Sequence, residues 1–322
     1  MRFFITGAAG FTGLEVGRFL VAANYTVYGL HRRPIQSQVL IDAGIHPVAG
    51  TLETLAEISL PAIDVVIHCA AMIGQWESSD AYNKVNVTGT IQAVEKAIAI
   101  GAKRFIHIST DMVLFEGEDC IGATEGHPLG NVTFPYASSK RKAELALQPY
   151  HSTIEIVILR PRMIWGTTAN PLYKSIKAAA VSKKFLWLNN GLAVTSVTHV
   201  HNLAYAIELA ATHEAAAGQI FHVADAEAHT LQSFWQQQLQ TEQLQLPTAS
   251  IPGWIARVIA NCIEPVWHLL RIKKAPPISK IAAYSFSTSF TLSTQKIQQM
   301  LGYQPIINFE EGLTVMKKIL EQ

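Results

Sequence analysis

The chain is predicted to fold as a doubly wound α/β protein, a parallel sheet with helices on both faces, accompanied by a smaller, mostly helical lobe. Short apolar runs alternate with helical patterns along the first half of the 322 residues. Three glycines, Gly7, Gly10 and Gly13, stand at even spacing directly after the first apolar run. Beyond Gly166 the alternation dissolves, which places a second lobe in the inserts and the C-terminal third.

The expected strands are Arg2 to Thr6, Thr26 to Leu30, His46 to Ala49, Asp64 to Cys69, Arg104 to Ser109, Ile154 to Leu159 and, late in the chain, Gln219 to Ala224. In the first unit the run Phe3, Phe4, Ile5 ends in Thr6-Gly7 and gives way to a helical pattern of Leu14, Gly17 and Leu20. Gly7 permits a tight turn, Gly10 lets backbone approach a pyrophosphate, and Gly13 lets the helix lie close on the strand. A diphosphate is favoured there by free N–H groups and the helix dipole. Strand, glycine turn and helix together predict a Rossmann dinucleotide-binding unit.

After the second strand comes His31-Arg32-Arg33-Pro34, where an NAD-selecting protein places a carboxylate. Two guanidinium groups suit a 2′-phosphate instead, so NADP(H) is the expected cofactor, with NAD(H) the alternative. The fourth strand runs into Ala70-Ala71, small enough for a ligand crossing the sheet. Ala81 to Ile100 reads as one long helix whose Asn86 is placed to bond a neighbouring strand or loop. The fifth strand leads into Thr110-Asp111. Pro135 is pre-set for a first helical turn, and Tyr136 and Lys140, four apart, share one face of the helix that follows.

Arg160 to Gly166 reads as a strand end turning into a loop, and Ser196 to Ala211 as a strand end and helix. Residues 1–163 and about 192–224 are therefore expected to form the dinucleotide-binding domain, and about 164–191 and 225–322 the substrate-binding lobe. Within that lobe the Gln-rich run from Gln232 to Gln245 reads as a solvated helix face. From Trp254 to Arg271, polar Arg257, Asn261, Glu264, His268 and Arg271 recur at steps of four and three, a single polar stripe on an apolar helix. Packing on the lobe core, a wall for an apolar substrate and weak membrane-surface contact through 254–274, helped by Lys273 and Lys274, are the three roles open to it.

Composition narrows the function classes. With 49% hydrophobic and 15% charged residues the chain is no disordered segment, and a net charge of +1 leaves no nucleic-acid footprint. Cys69, Cys120 and Cys262 are far apart, so neither a disulfide framework nor a metal site is expected, and a reducing, cytoplasmic setting fits. The expected partner is a small molecule; a homodimer is left open.

The glycine turn, Thr110, Tyr136-x-x-x-Lys140 and Arg160-Pro161 together resemble the extended short-chain dehydrogenase/reductase superfamily over nearly the whole chain. The stretch Ser109 through Asp119 to Glu125, the helix after Ile251-Pro252, and the closing Leu301-Gly302-Tyr303-Gln304-Pro305 with Phe309-Glu310-Glu311-Gly312 resemble its 3β-hydroxysteroid dehydrogenase group. The resemblance implies cofactor contacts from Gly7, Ala9, Gly10, Phe11, Thr12, Gly13, Arg32, Arg33, Leu52, Ala70, Ala71, Ser109, Tyr136, Lys140, Pro161 and Met163. It also implies a catalytic set of Thr110, Tyr136 and Lys140. Three departures bear on cofactor and substrate recognition: Thr51 replaces an acidic residue, Gly166-Thr167-Thr168-Ala169 replaces G-P-G-D, and Val200-His201-Asn202 replaces V-D-N.

Hydride exchange between a secondary alcohol and a nicotinamide ring needs a group to carry the hydroxyl proton. Tyr136 is that candidate. Bringing a phenol of pKa about 10 near neutrality takes roughly 3 units, or ~4 kcal/mol. Lys140 and an oxidised nicotinamide are expected to supply it, since one nearby cation moves a pKa by about 1 to 3 units. Thr110, or Ser109 in its place, would bond the substrate oxygen; adjacent strand residues face opposite ways, so only one reaches the site. The expected activity is NADP(H)-dependent interconversion of a secondary alcohol and a ketone on a fairly apolar, sterol- or keto-lipid-like substrate. A nucleotide-sugar epimerase or reductase is the alternative, and a non-catalytic NADP sensor the third class. A dehydratase lacks its second carboxylate, because Thr110-Asp111 is followed by Met112.

Overall fold

Side-chain alternation along the central strands builds two hydrophobic layers in the computed structural model, which describes residues 1–74, 76–131, 134–270, 272 and 274–320. The first half runs β1 (Arg2–Thr6), α1 (Phe11–Ala22), β2 (Thr26–His31), α2 (Ile35–Asp42), β3 (His46–Ala49) and β4 (Val65–His68). There follow α3 (Ser79–Asn83), a π-helical turn (Lys84–Thr88), α4 (Gly89–Ala99), β5 (Arg104–Ile108), β6 (Cys120–Ala123), α5 (Pro135–Leu147) and β7 (Glu155–Pro161). Next come β8 (Ile164–Trp165), α6 (Pro171–Val181), β9 (Trp187–Leu188), β10 (Val194–Ser196), β11 (Thr198–His199), α7 (Val200–Thr212) and β12 (Ile220–Val223). The chain closes with β13 (Ala228–Thr230), α8 (Leu231–Gln240), β14 (Ser250–Ile251), α9 (Gly253–Leu269), α10 (Lys280–Ser285), β15 (Phe290–Leu292), α11 (Gln295–Leu301) and α12 (Phe309–Leu320).

The main sheet is parallel throughout, in the order β12-β7-β5-β4-β1-β2-β3. All seven of its strands fall within two residues of their expected limits. Phe3, Ile5, Val65, Ile67, Ile106 and Val157 face α1 and α7, packing on Val16, Leu20, Leu203 and Ile207. Their neighbours Phe4, Val66, Phe105, Ile156 and Ile158 point the other way, onto Ala93, Val94 and Ala97 of α4 and Leu147 of α5. Both faces are covered, as a parallel sheet requires. Strand order reverses between β1 and β4, so the loops leaving those two strands bound the crevice where such folds take ligands.

The expected long helix from Ala81 to Ile100 is interrupted by the π turn at Lys84–Thr88, which brings the buried Asn86 to face α5. Besides the main sheet the chain forms a mixed sheet in the order β13-β10-β15-β6. It takes β6 from within 1–163, β10 from within 192–224 and β13 and β15 from within 225–322. Strands of three or four residues carry too little alternation to be recognised before their partners are known. Along the Gln-rich run Gln238 is buried beside Phe234, Trp235 and Leu239, while Gln232, Gln236 and Gln237 are partly exposed and Gln240, Gln243 and Gln245 exposed.

In α9 the polar stripe turns toward the protein. Arg257 bonds Ser287 and Thr288, Asn261 donates to the Tyr284 hydroxyl, and the Glu264 carboxylate accepts from the Lys280 backbone N–H. The apolar side faces solvent, so it does not wall a substrate pocket. Arg271 and Lys273, counted with this segment in the sequence, lie outside the described residues. Among the described residues no helix is long and apolar enough to cross a membrane.

Candidate active site

The glycine turn is shaped by close backbone approach. A Cβ on Gly13 would stand 2.3 Å from the Gly7 carbonyl oxygen, and one on Gly7, whose φ is +71°, would stand 2.8 Å from the Ala70 backbone. Thus α1 sits on the turn while the end of β4 presses on it from the other side. Helix α1 begins at Gly10 with no side-chain cap and no acidic residue in its first turn. The N–H groups of Phe11, Thr12 and Gly13 at such a start are left for an anion. Ala9, Phe11, Thr12, Ala70 and Ala71 are partly exposed around this point.

Past β2, the Gln36 side chain accepts from the Arg32 and Arg33 backbone N–H groups at 3.1 and 3.0 Å. That fixes the turn and leaves both guanidinium groups exposed and unpaired among the described residues. Leu52, after β3, packs against Gly89 at the start of α4. An uncapped helix start, a cradle that admits no Cβ and two free cations beyond β2 fit a nicotinamide dinucleotide.

The catalytic side is assembled by two periodicities meeting. Along β5 and just past it, His107 and Ser109 project to one face. On α5, opened by Pro135, Lys140 and Glu144 follow Tyr136 at four-residue steps on one stripe. The buried Lys140 ammonium donates to the Ile108 carbonyl at 2.7 Å and lies 3.3 Å from His107 Nε2. Burial lowers the Lys140 amine to about 8 and holds His107 well below the ordinary histidine value. Ser109 donates to Glu144, which also receives Arg160 at 3.0 and 2.6 Å.

The Ser109 hydroxyl is therefore spent on Glu144, and of the two candidates Thr110 is the one close enough to the Tyr136 phenol to favour its charged form. Tyr136 is half-buried and meets Tyr82 edge-on at 6.5 Å. Its phenol is raised above the usual tyrosine value, first by burial and then by Asp111 and Tyr82, with the Thr110 bond pulling the other way. The lysine is held by Ile108 and His107, so the protein by itself keeps the phenol protonated.

Three further contacts hold the arrangement. The Asn86 amide donates to Ser139 at 2.8 Å and to Met72 O at 3.1 Å while accepting from Met72 N at 2.7 Å, tying the loop after β4 to α5. His68, beneath that loop, joins Thr6 and Thr90 at 2.7 and 3.1 Å. Asp111, next to Thr110, pairs with Arg162 in the interior, and Arg162 also donates to Thr195 at 2.7 Å and lies over the Phe290 ring. Pro161 closes β7, and Met163 follows in a left-handed conformation, φ +41°, its sulfur 3.5 Å from the Thr195 hydroxyl.

Sequence reading missed His107, Glu144, Ser139 and the Asp111–Arg162 pair. Signals for two of them were present, since 136, 140 and 144 continue one helix stripe and 107 and 109 one strand face. Met112 and Phe115, past β5, and Trp165, past β7, are buried, the first two with Phe290 in the β6/β15 core and the third against Phe234 and Phe309.

Comparison with known proteins agrees with this construction. The sequence model of the NAD dependent epimerase/dehydratase family matches residues 3–224. The chain is 30% identical to 4-hydroxy-2-methyl-3-oxo-4-farnesyl-3,4-dihydroquinoline-1-oxide ketoreductase of Stigmatella aurantiaca, covering 99% of this chain and 96% of that protein. It is 28% identical to the decarboxylating sterol-4-alpha-carboxylate 3-dehydrogenase of Dictyostelium discoideum, over 96% of this chain and 98% of that one. Among solved structures, UDP-glucuronic acid 4-epimerase from Bacillus cereus in complex with NAD shares the fold, with a TM-score of 0.77, 19% identity and coverage of 100% and 97%.

Proposed function

Since the chain belongs to the NAD dependent epimerase/dehydratase family, within the extended short-chain dehydrogenases/reductases and their 3β-hydroxysteroid dehydrogenase-like group, we propose that it interconverts a secondary alcohol and a ketone on an apolar, sterol- or keto-lipid-like substrate with NADP(H). That it is an NAD(P)-dependent enzyme acting on CH–OH groups follows from the family and its relatives. The observation carrying the reading is the α5 stripe that sets Tyr136 one turn before the buried Lys140, whose ammonium is anchored on the Ile108 carbonyl.

The dinucleotide would be held by the α1 N-terminus and the glycine turn, with Arg32 and Arg33 on a 2′-phosphate and Leu52, Ala70, Ala71, Pro161 and Met163 along its length. Bound there, it supplies the hydride donor or acceptor. Tyr136, kept protonated by its surroundings, gives its proton to the carbonyl oxygen in the reducing direction, and Thr110 steadies that oxygen as its charge changes. Lys140 holds the ribose hydroxyls from the floor made by Ile108 and His107. Ser109, its hydroxyl spent on Glu144, contributes through its backbone.

Support for an apolar ketone comes from the two relatives, one named as a ketoreductase of a farnesylated ring and the other as a sterol dehydrogenase. Asp111 is neutralised by Arg162 and followed by Met112, which leaves no second carboxylate for dehydration. The dinucleotide-binding domain would comprise 1–163 and about 192–224, less the two strands β6 and β10 that join the substrate lobe's sheet. A cytoplasmic setting completes the proposal.

The test is nicotinamide fluorescence with purified protein against keto-lipids, sterols and nucleotide sugars. Tyr136→Phe should lower kcat at least about 100-fold, the contribution of a positioned acid, with NADPH affinity within about twofold of wild type. A nucleotide sugar turned over faster than every apolar ketone, or an undiminished Tyr136→Phe enzyme, would refute the assignment.

A further inference from the structure

Helix α9 is amphipathic in the wrong sense for a helix that serves only to pack. Its inner side is lined by the small Gly253, Ala256 and Ala260, over a minor core of Leu188 and Ala283. Its outer side carries Trp254, Val258, Ile259, Val266 and Leu269, continued by Leu270 past its end. Trp254 is 67% and Leu269 81% exposed, fractions at which a side chain gains almost nothing from the protein's own core. At about 100° per residue these positions form one face about 160° wide on a helix about 25 Å long. No charged residue interrupts it. An apolar surface of this size, rimmed by polar groups, marks a contact with something else.

The charge distribution says what that is. Between Gly253 and Lys280 stand Arg257, Arg271, Lys273, Lys274 and Lys280 against the single Glu264, so this segment carries +4 on a chain whose total is +1. The remaining residues are net negative. Arg257 is committed inward to Ser287 and Thr288, whereas the basic residues that follow Leu270 come directly after the apolar face. A second copy docked face to face would set two such segments against each other, while an anionic surface would be attracted to either one.

We propose that α9 is the docking face for an anionic phospholipid bilayer. The helix lies in the interface with Trp254, Val266 and Leu269 among the acyl chains, and the sequence that follows Leu270 supplies the positive charge that attracts anionic headgroups. The same helix end is coupled to the site. Trp76, on the loop after β4, stacks on His268 at 4.7 Å and donates to the Ile272 carbonyl at 3.0 Å. Asn86 holds the same loop at Met72 against α5. Docking would therefore hold the loop beside Tyr136 close to the phase in which an apolar substrate dissolves. This coupling rests on the function proposed above; the docking itself does not.

Sedimentation of the full chain with vesicles of 70:30 phosphatidylcholine and phosphatidylglycerol tests the docking without any substrate. Wild type should partition onto them at least tenfold more strongly than onto pure phosphatidylcholine. Val266→Asp with Leu269→Asp should abolish partitioning while leaving the melting temperature unchanged, since both positions are exposed. Lys273→Gln with Lys274→Gln should weaken it about thirtyfold, as expected for two lysines near an anionic surface. Three results would overturn the proposal. These are no partition of wild type, full partition of the aspartate variant, or a wild-type dimer in buffer that the aspartate variant dissolves, which would make a second copy the occupant.

Discussion

Mild acid should destabilise this protein through four histidines. His68, His107, His199 and His222 are all fully buried and are held neutral, His68 and His199 at about 3, His222 at about 4, and His107 well below its ordinary value, in each case chiefly by burial. A histidine depressed in the fold stabilises above the unfolded value of about 6.5, and that stability is lost as pH falls below it. At pH 5.5 each is roughly nine-tenths protonated in the unfolded chain and neutral in the fold, so each withdraws about 1.3 kcal/mol relative to pH 7. Asp225 opposes them. Burial raises its carboxyl to about 6 despite bonds from Trp165, Asn202 and the His199 backbone. A carboxyl raised in the fold favours folding more as pH drops, returning about 0.8 kcal/mol over the same interval.

The net expectation is a loss of about 4 kcal/mol between pH 7 and 5.5, with about three protons taken up on unfolding at the lower pH. Against a typical stability of about 5–15 kcal/mol this is a large share. Urea titrations followed by circular dichroism at several pH values measure it directly. His222→Gln, whose amide can still donate to the Ala123 carbonyl that His222 Nδ1 contacts, should remove about one proton from the slope. A stability flat across this interval, or a slope untouched by that substitution, would refute the reasoning.

Replacing Arg32 and Arg33 with Ala should weaken NADPH binding by at least tenfold, since each lost charge-assisted bond is worth about 1.5–3 kcal/mol, and should leave NADH nearly unchanged; fluorescence titration decides, and tighter NADH binding in wild type would reject the phosphate role. Glu144→Gln should cost about 3–5 kcal/mol in urea unfolding, because it leaves the buried Arg160 guanidinium without its counter-charge.

Much of the fold was legible because its signals are local. Apolar runs of four to seven residues, the spacing of Gly7, Gly10 and Gly13, and Pro135 before Tyr136 and Lys140 each act within a few residues, and they located the seven central strands and the helix carrying the candidate acid. What the sequence withheld depends on which groups distant segments bring together. Sequence left Ser109 and Thr110 as alternatives, and it is Glu144, arriving from α5, that takes the serine hydroxyl. The state of the phenol likewise depended on tertiary burial and on Lys140 being held by Ile108 and His107 rather than by the tyrosine. The short strands β6, β10, β13 and β15 exist only as partners of one another. Periodicity found the polar stripe of α9, but a helical repeat is the same whichever side meets the protein, and only the positions of Ser287, Tyr284 and Lys280 turned the stripe inward and left the apolar face to solvent.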